Sequence, residues 1–153
     1  MNNIFIKGFL TIYLILGGVW LRSSTGKISG GKFVSTLGDT LTKMSPNNPY
    51  PWFKSFLQNM VVPNSILFGN LTMWGEFLTA VVITGASLYL LFSKFDQRLG
   101  LIVLILGLLG GMFLNAIFWL GFGYSNVSTE SLNLFMFLIE LVGIVVLFIS
   151  LNK

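Results

Sequence analysis

The sequence predicts an all-α integral membrane protein, a four-transmembrane-helix antiparallel bundle with amphipathic loop helices capping one end. Three observations carry that expectation. Only 9% of the 153 residues are charged and 54% are hydrophobic, whereas a soluble domain carries about 25% charged residues. The mean hydropathy is +0.84, so water is a poor solvent for most of this surface. Finally, the apolar residues gather into stretches long enough to cross a bilayer, separated by segments of quite different composition.

Crossing roughly 30 Å of hydrocarbon takes about 20 mostly apolar residues. Four stretches qualify: Ile4–Leu21, Leu67–Phe92, Leu99–Leu120 and Leu132–Leu151. The first is the shortest, and Lys7 inside it is expected to snorkel to the nearer interface. Gly17, Gly18, Val19 and Trp20 offer no small-x-small cleavage pattern, so this stretch is expected to remain in the mature chain as a span. The second and third stretches are joined by a few residues, Ser93 to Arg98, which makes them antiparallel neighbours. Gly107 and Gly111 form a small-xxx-small pair suited to close helix packing. The whole chain, 1–153, reads as one membrane domain.

The loop 22–66 is too patterned for a linker. Phe33, Val34, Leu37, Leu41 and Met44 recur at helical spacing, and so do Trp52, Phe53, Phe56, Leu57, Met60 and Val61. Asn48-Pro-Tyr-Pro51 divides the two runs, because proline removes a donor and restricts the residue before it. Two amphipathic helices near Lys32–Met44 and Trp52–Met60, lying on the bundle's end or the membrane surface, fit this pattern.

Composition also excludes chemistry. The chain has neither cysteine nor histidine, so no haem, metal or iron–sulfur cluster held through those side chains is expected in it. A net charge of +4, spread along the chain, argues against nucleic acid as a partner and leaves the lipid bilayer as the first one. Near the membrane ends, Arg22, Lys27, Lys32 and Lys54 on the loop side balance Lys7, Lys94, Arg98 and Lys153 on the other, so the positive-inside rule ties.

Two carboxylates stand where they are costly. Glu76 and Glu140 fall inside the second and fourth stretches, and a charge at mid-bilayer costs about 2.5–3.5 kcal/mol or more. Counted from Leu67 and Leu132, both lie about 12–14 Å below the loop-side surface. Asn115 comes to roughly 8 Å below it, with Trp119 one turn above. Trp20, Arg22 and Trp74 reach the same half of the membrane. One reading makes Glu76, Glu140 and Asn115 interhelical hydrogen-bonding glue, at about 0.6 kcal/mol per bond. The other makes them a polar pocket, the carboxylates serving as proton acceptors or as counter-charges to Arg22. Tyr50, Trp52 and Phe53 either line an entry for a hydrophobic ring or anchor a helix at the interface.

Several motifs point to a family. Trp20-Leu-Arg-Ser-Ser-Thr-Gly-Lys-Ile28, Asn48-Pro-Tyr-Pro-Trp-Phe-Lys-Ser-Phe56, the Val62-Pro-Asn64 turn, Gly75-Glu76 and Asn133-Leu-Phe-Met-Phe with Glu140 resemble, in order along nearly the whole chain, the DoxX/DoxD family. The resemblance is to the DoxD type, the larger membrane subunit of thiosulfate:quinone oxidoreductase. It implies a four-helix membrane fold in the plasma membrane, with the long loop 22–66 extracytoplasmic. It also implies electrons passed from thiosulfate to a membrane quinone, and a DoxA-like small subunit as partner. On that basis Glu76, Glu140 and Arg22 are the candidate catalytic residues, and Lys27, Lys32, Trp52, Trp74, Asn115 and Trp119 the candidate substrate- and quinone-binding ones. A non-catalytic accessory subunit of a respiratory terminal-oxidase complex, and a small transporter using the two glutamates, are the competing readings.

Overall fold

A computed structural model describes residues 4–93 and 97–151. Lys94 and Lys153, counted above, lie outside the described residues. Helices α1 (Ile4–Gly30), α4 (Ser65–Phe92), α5 (Arg98–Phe122) and α6 (Val127–Leu151) form the bundle. These are four helices long and apolar enough to cross a membrane. Between α1 and α4 lie α2 (Phe33–Met44), a 3-10 turn over Ser45–Asn47, α3 (Pro51–Phe56) and a π-helical turn over Leu57–Val61.

Close contacts fix the directions. On α1 and α4, Lys27 meets Glu76 while Gly17 lies against Thr84, so the numbering runs in opposite senses. On α4 and α5, Gly107 packs on Ile83 and Gly100 on Tyr89 and Leu90. On α5 and α6, Asn115 reaches Glu140 while Leu108 meets Gly143. The bundle therefore runs up, down, up, down. The interfaces of α1 with α4, α4 with α5 and α5 with α6 are extensive, whereas α1 and α6 touch little. Leu10, Tyr13, Leu16, Ala80, Ile83, Leu104, Leu108 and Leu147 fill the centre.

All four prolines of the chain fall between positions 46 and 63. With no proline in the first 45 residues, nothing breaks α1 at the end of its apolar stretch. It continues nine residues past Leu21, to Gly30, where Gly31 takes a left-handed φ of 63° and stops it. Loop 22–66 thus begins as helix. The side chains of Thr25 and Ser29 fold back on the carbonyls of Leu21 and Thr25, which lets a polar stretch stay helical. At the other end Val127 starts α6 five residues before the apolar run, because Asn126 Oδ1 accepts from Ser128 N–H at 2.8 Å and caps the first turn.

The two loop helices cap the loop-side end of the bundle. α2 lies across the start of α4, in a contact that two glycines permit. A Cβ on Gly38 would come within 2.7 Å of Ser65 Oγ, and one on Gly69 within 3.1 Å of Val34 Cα. Leu41, Phe53, Leu57 and Val61 bury themselves in a small second core against Phe68, Ile117 and Leu120. Asn48 Nδ2 donates to Leu120 O at 2.8 Å, and Tyr124 Oη to Met44 O at 2.6 Å. These bonds tie the capping segment to the end of α5.

Candidate functional site

The polar residues predicted to face inward do so. Glu76 and Glu140 are each 0% exposed and Asn115 is 1% exposed. The helix that organises them is α1. Trp20, Ser23 and Lys27 stand three and four residues apart, on one face. Ser23 Oγ donates to Glu76 Oε2 at 3.0 Å, and the Lys27 ammonium pairs with Glu76 Oε1. One turn deeper, Trp20 Nε1 donates to Glu140 Oε1 at 3.1 Å. From α5, Asn115 Nδ2 donates to Glu140 Oε2 at 2.8 Å. Both oxygens of both carboxylates are thus engaged, one by a cation and a hydroxyl, the other by an indole and an amide.

Each carboxylate has a fitted surround. Lys27 lies over the Phe33 ring at 4.8 Å and the Phe118 ring at 5.1 Å, between two aromatic faces that attract its charge. Glu140 fills the space left by Gly111, where an added Cβ would meet its Cδ at 2.8 Å. The glycine pair on α5 is therefore split between two tasks. Gly107 lets α4 approach, and Gly111 makes room for a carboxylate.

Above these residues and beneath the capping helices lies a cavity of about 720 Å³. Its walls are mostly apolar, drawn from all four bundle helices and from α2 and α3. Its polar lining includes Ser23, Lys27, Asn115 and Asn133. It opens sideways, since Val19, Leu71, Phe113 and Leu132 belong both to its lining and to the exposed surface, at 43, 59, 66 and 54%. Glu76 and Glu140 are not among its lining residues; the side chains that bond them stand between them and the space.

The other candidates fall elsewhere. Arg22, expected as the counter-charge, is exposed, and Lys27 takes that role at Glu76. Arg22 is two residues beyond Trp20, about 200° round the helix, whereas Lys27 is two turns on and back on the same face. Lys32 is exposed just before α2. Trp52 and Trp74 are 63 and 52% exposed. Trp119 packs on Tyr50 at 5.7 Å between ring centres. None of these five lines the cavity. Residue reasoning missed Ser23, Phe33 and Phe118. The signal for Ser23 was the absence of any proline between Leu21 and Pro46.

No family model, curated protein or solved structure matches this chain.

Proposed function

We propose that this protein is the quinone-binding membrane subunit of a thiosulfate:quinone oxidoreductase-like complex in the plasma membrane, with the cavity beneath the capping helices as the quinone site. The observation that carries the reading is that cavity: apolar, open to the side, and furnished with a few polar groups at one end. A lipid-soluble ring asks for such a site. The Lys27 ammonium supplies N–H groups for a quinone oxygen. Arg22 and Lys32, exposed at the same end of α1 and the start of α2, suit an anionic donor arriving from water on the loop side, which the reading makes extracytoplasmic.

In the proposed reaction two thiosulfates join through a new S–S bond to give tetrathionate and release two electrons. The quinone takes those electrons and two protons to become quinol. The chain has no cysteine or histidine, so a carrier ligated by those residues would sit on a partner, in this reading a DoxA-like small subunit.

Membranes containing the chain and its partner, assayed for thiosulfate-driven quinone reduction, test the proposal. Arg22→Ala should raise the apparent KM for thiosulfate roughly ten- to a hundredfold, the worth of one charge-assisted contact, and leave that for quinone nearly unchanged. At least one of Glu76→Gln and Glu140→Gln should lower turnover more than thiosulfate affinity and alter its pH profile. A second reading, the accessory subunit of a respiratory complex, is favoured by the complete hydrogen bonding of both carboxylates behind the cavity wall. If all three variants turn over like the parent in an assembled complex, that reading replaces the first.

A further inference from the structure

The α3 helix and the π-helical turn after it carry their side chains in rows four residues apart. Phe53, Leu57 and Val61 are buried in the second core. The row beside them, Trp52, Phe56 and Met60, is just as apolar and is 63, 37 and 53% exposed. On the far side Ser55 and Asn59 are exposed and serve each other, Asn59 Nδ2 donating to Ser55 Oγ at 3.0 Å. Four residues overshoot one α-helical turn by about 40°, which would skew such rows. The wider π turn, in which Val62 N–H donates to Leu57 O at 2.8 Å, takes the skew back out. The segment thus keeps three straight faces: one in the core, one polar, and one apolar and open.

The other capping helix differs. Every exposed residue of α2 is polar (Ser35, Thr36, Asp39, Thr40, Thr42 and Lys43), so its outer face suits water. The open row of α3 instead runs into the lipid-facing surface of the bundle. The Phe56 ring meets that of Phe68 edge-on, with 6.1 Å between centres. Phe68 is flanked on α4 by the exposed Leu67 and Leu71, which belong to the apolar run of a helix suited to cross a membrane. A large apolar patch set against water calls for a partner. At a bilayer boundary such a face holds an amphipathic helix in place, with tryptophan as its anchor. From this continuity we infer that Trp52, Phe56 and Met60 form a membrane-docking face, seated among the acyl chains of the loop-side leaflet just beneath its headgroups, while α2 stands in water. The inference rests on the membrane-spanning bundle and not on the quinone reading. Phe56 and Leu71 also line the cavity, so this seating sets one edge of its side opening within the leaflet.

The chain has no cysteine, so one introduced cysteine carries one spin label. Trp52→Cys, Phe56→Cys and Met60→Cys test the face; Ser55→Cys, Asn59→Cys and Asp39→Cys are the water-side references. All are read in the purified full-length protein in phosphatidylcholine vesicles. Power saturation compares collisions with oxygen, which concentrates in hydrocarbon, and with a water-soluble nickel chelate present on both sides of the bilayer. The oxygen-to-nickel ratio should be severalfold higher at the first three positions than at the references. Equal ratios would put the whole segment in water and overturn the inference. Labels on the face that are shielded from both reagents would overturn it as well, since a second copy of the chain would then cover that face. Should the labels unfold the segment, Trp52 itself decides. The fluorescence lost in Trp52→Tyr should be quenched more by phosphatidylcholine brominated along its acyl chains than by aqueous iodide. An equal response to the two quenchers, or the reverse order, overturns the inference.

Discussion

Glu76 and Glu140 are the same residue type, equally buried, one turn apart along α1, and held in opposite ways. Glu76 is met by a cation whose side chain is 24% exposed and touches the cavity. Glu140 is met by two neutral donors and fills the space a glycine leaves. The first arrangement places a charge beside its counter-charge at the wet end of the bundle. The second uses directional bonds and shape, and its product is an oriented neighbour, Asn115, more than a neutralised charge. One mechanism is electrostatic and the other geometric, and substitution separates them.

The largest effect should come from Lys27→Met. It leaves the Glu76 carboxylate buried without a cation, and breaking a buried pair on one side costs about 3–5 kcal/mol. The double variant Lys27→Met/Glu76→Gln should recover much of that loss, measured as the unfolding midpoint in detergent by circular dichroism. A double variant no more stable than the single would mean the pair is not what holds Glu76.

Gly111→Ala attacks the geometric side. Its Cβ would press on the Glu140 carboxyl, and overpacking of this kind costs about 1–3 kcal/mol. Gly85→Ala, where nothing lies within 4 Å of the new methyl, should be neutral or slightly stabilising, by up to about 1 kcal/mol. Equal effects of the two alanines would remove the steric half of the comparison.

Apart from the neutral Gly85→Ala control, the smallest effect is expected from Trp20→Phe, which keeps most of the ring's bulk and deletes the N–H bonded to Glu140. The loss should be about 1–3 kcal/mol for the stranded acceptor, at the low end because Asn115 still serves the other oxygen. The infrared carboxyl band of Glu140, followed by Glu140→Gln difference spectra, should shift with it. An unmoved band would show that the indole is a wall and not a donor.

Much of this architecture was legible in the residues. The spans follow from apolar length, and the capping helices from periodicity broken by Asn48-Pro-Tyr-Pro51. The inward direction of Glu76, Glu140 and Asn115 follows from the cost of showing them to lipid. The choice of Lys27 over Arg22 was not read, because the end of hydrophobicity was taken as the end of the helix. A helix stops for backbone reasons, here at Gly31, and between Arg22 and Gly30 there is no proline and no residue at positive φ. The outward turn of Trp52 and Trp74 was illegible for another reason. An amphipathic loop helix shows which residues are apolar, and a bundle helix in lipid is apolar on both its inner and outer faces, so neither pattern tells the core from the bilayer.

The length of α1 has a consequence for the host membrane. Its apolar part, Ile4–Leu21, covers about 27 Å, and Lys27 stands about 9 Å further along the axis. Its partner Glu76 stands about 14 Å inside the apolar run of α4, counted from Leu67, so the apolar ends of the two helices are offset and the ion pair lies between them, where the dielectric changes with depth. In a thin bilayer it is bathed by headgroup water and the attraction is weak. In a thick one the hydrocarbon closes over it, and the same two charges attract several times more strongly. Bilayer thickness thus bears on how firmly the Lys27–Glu76 pair holds α1 to α4.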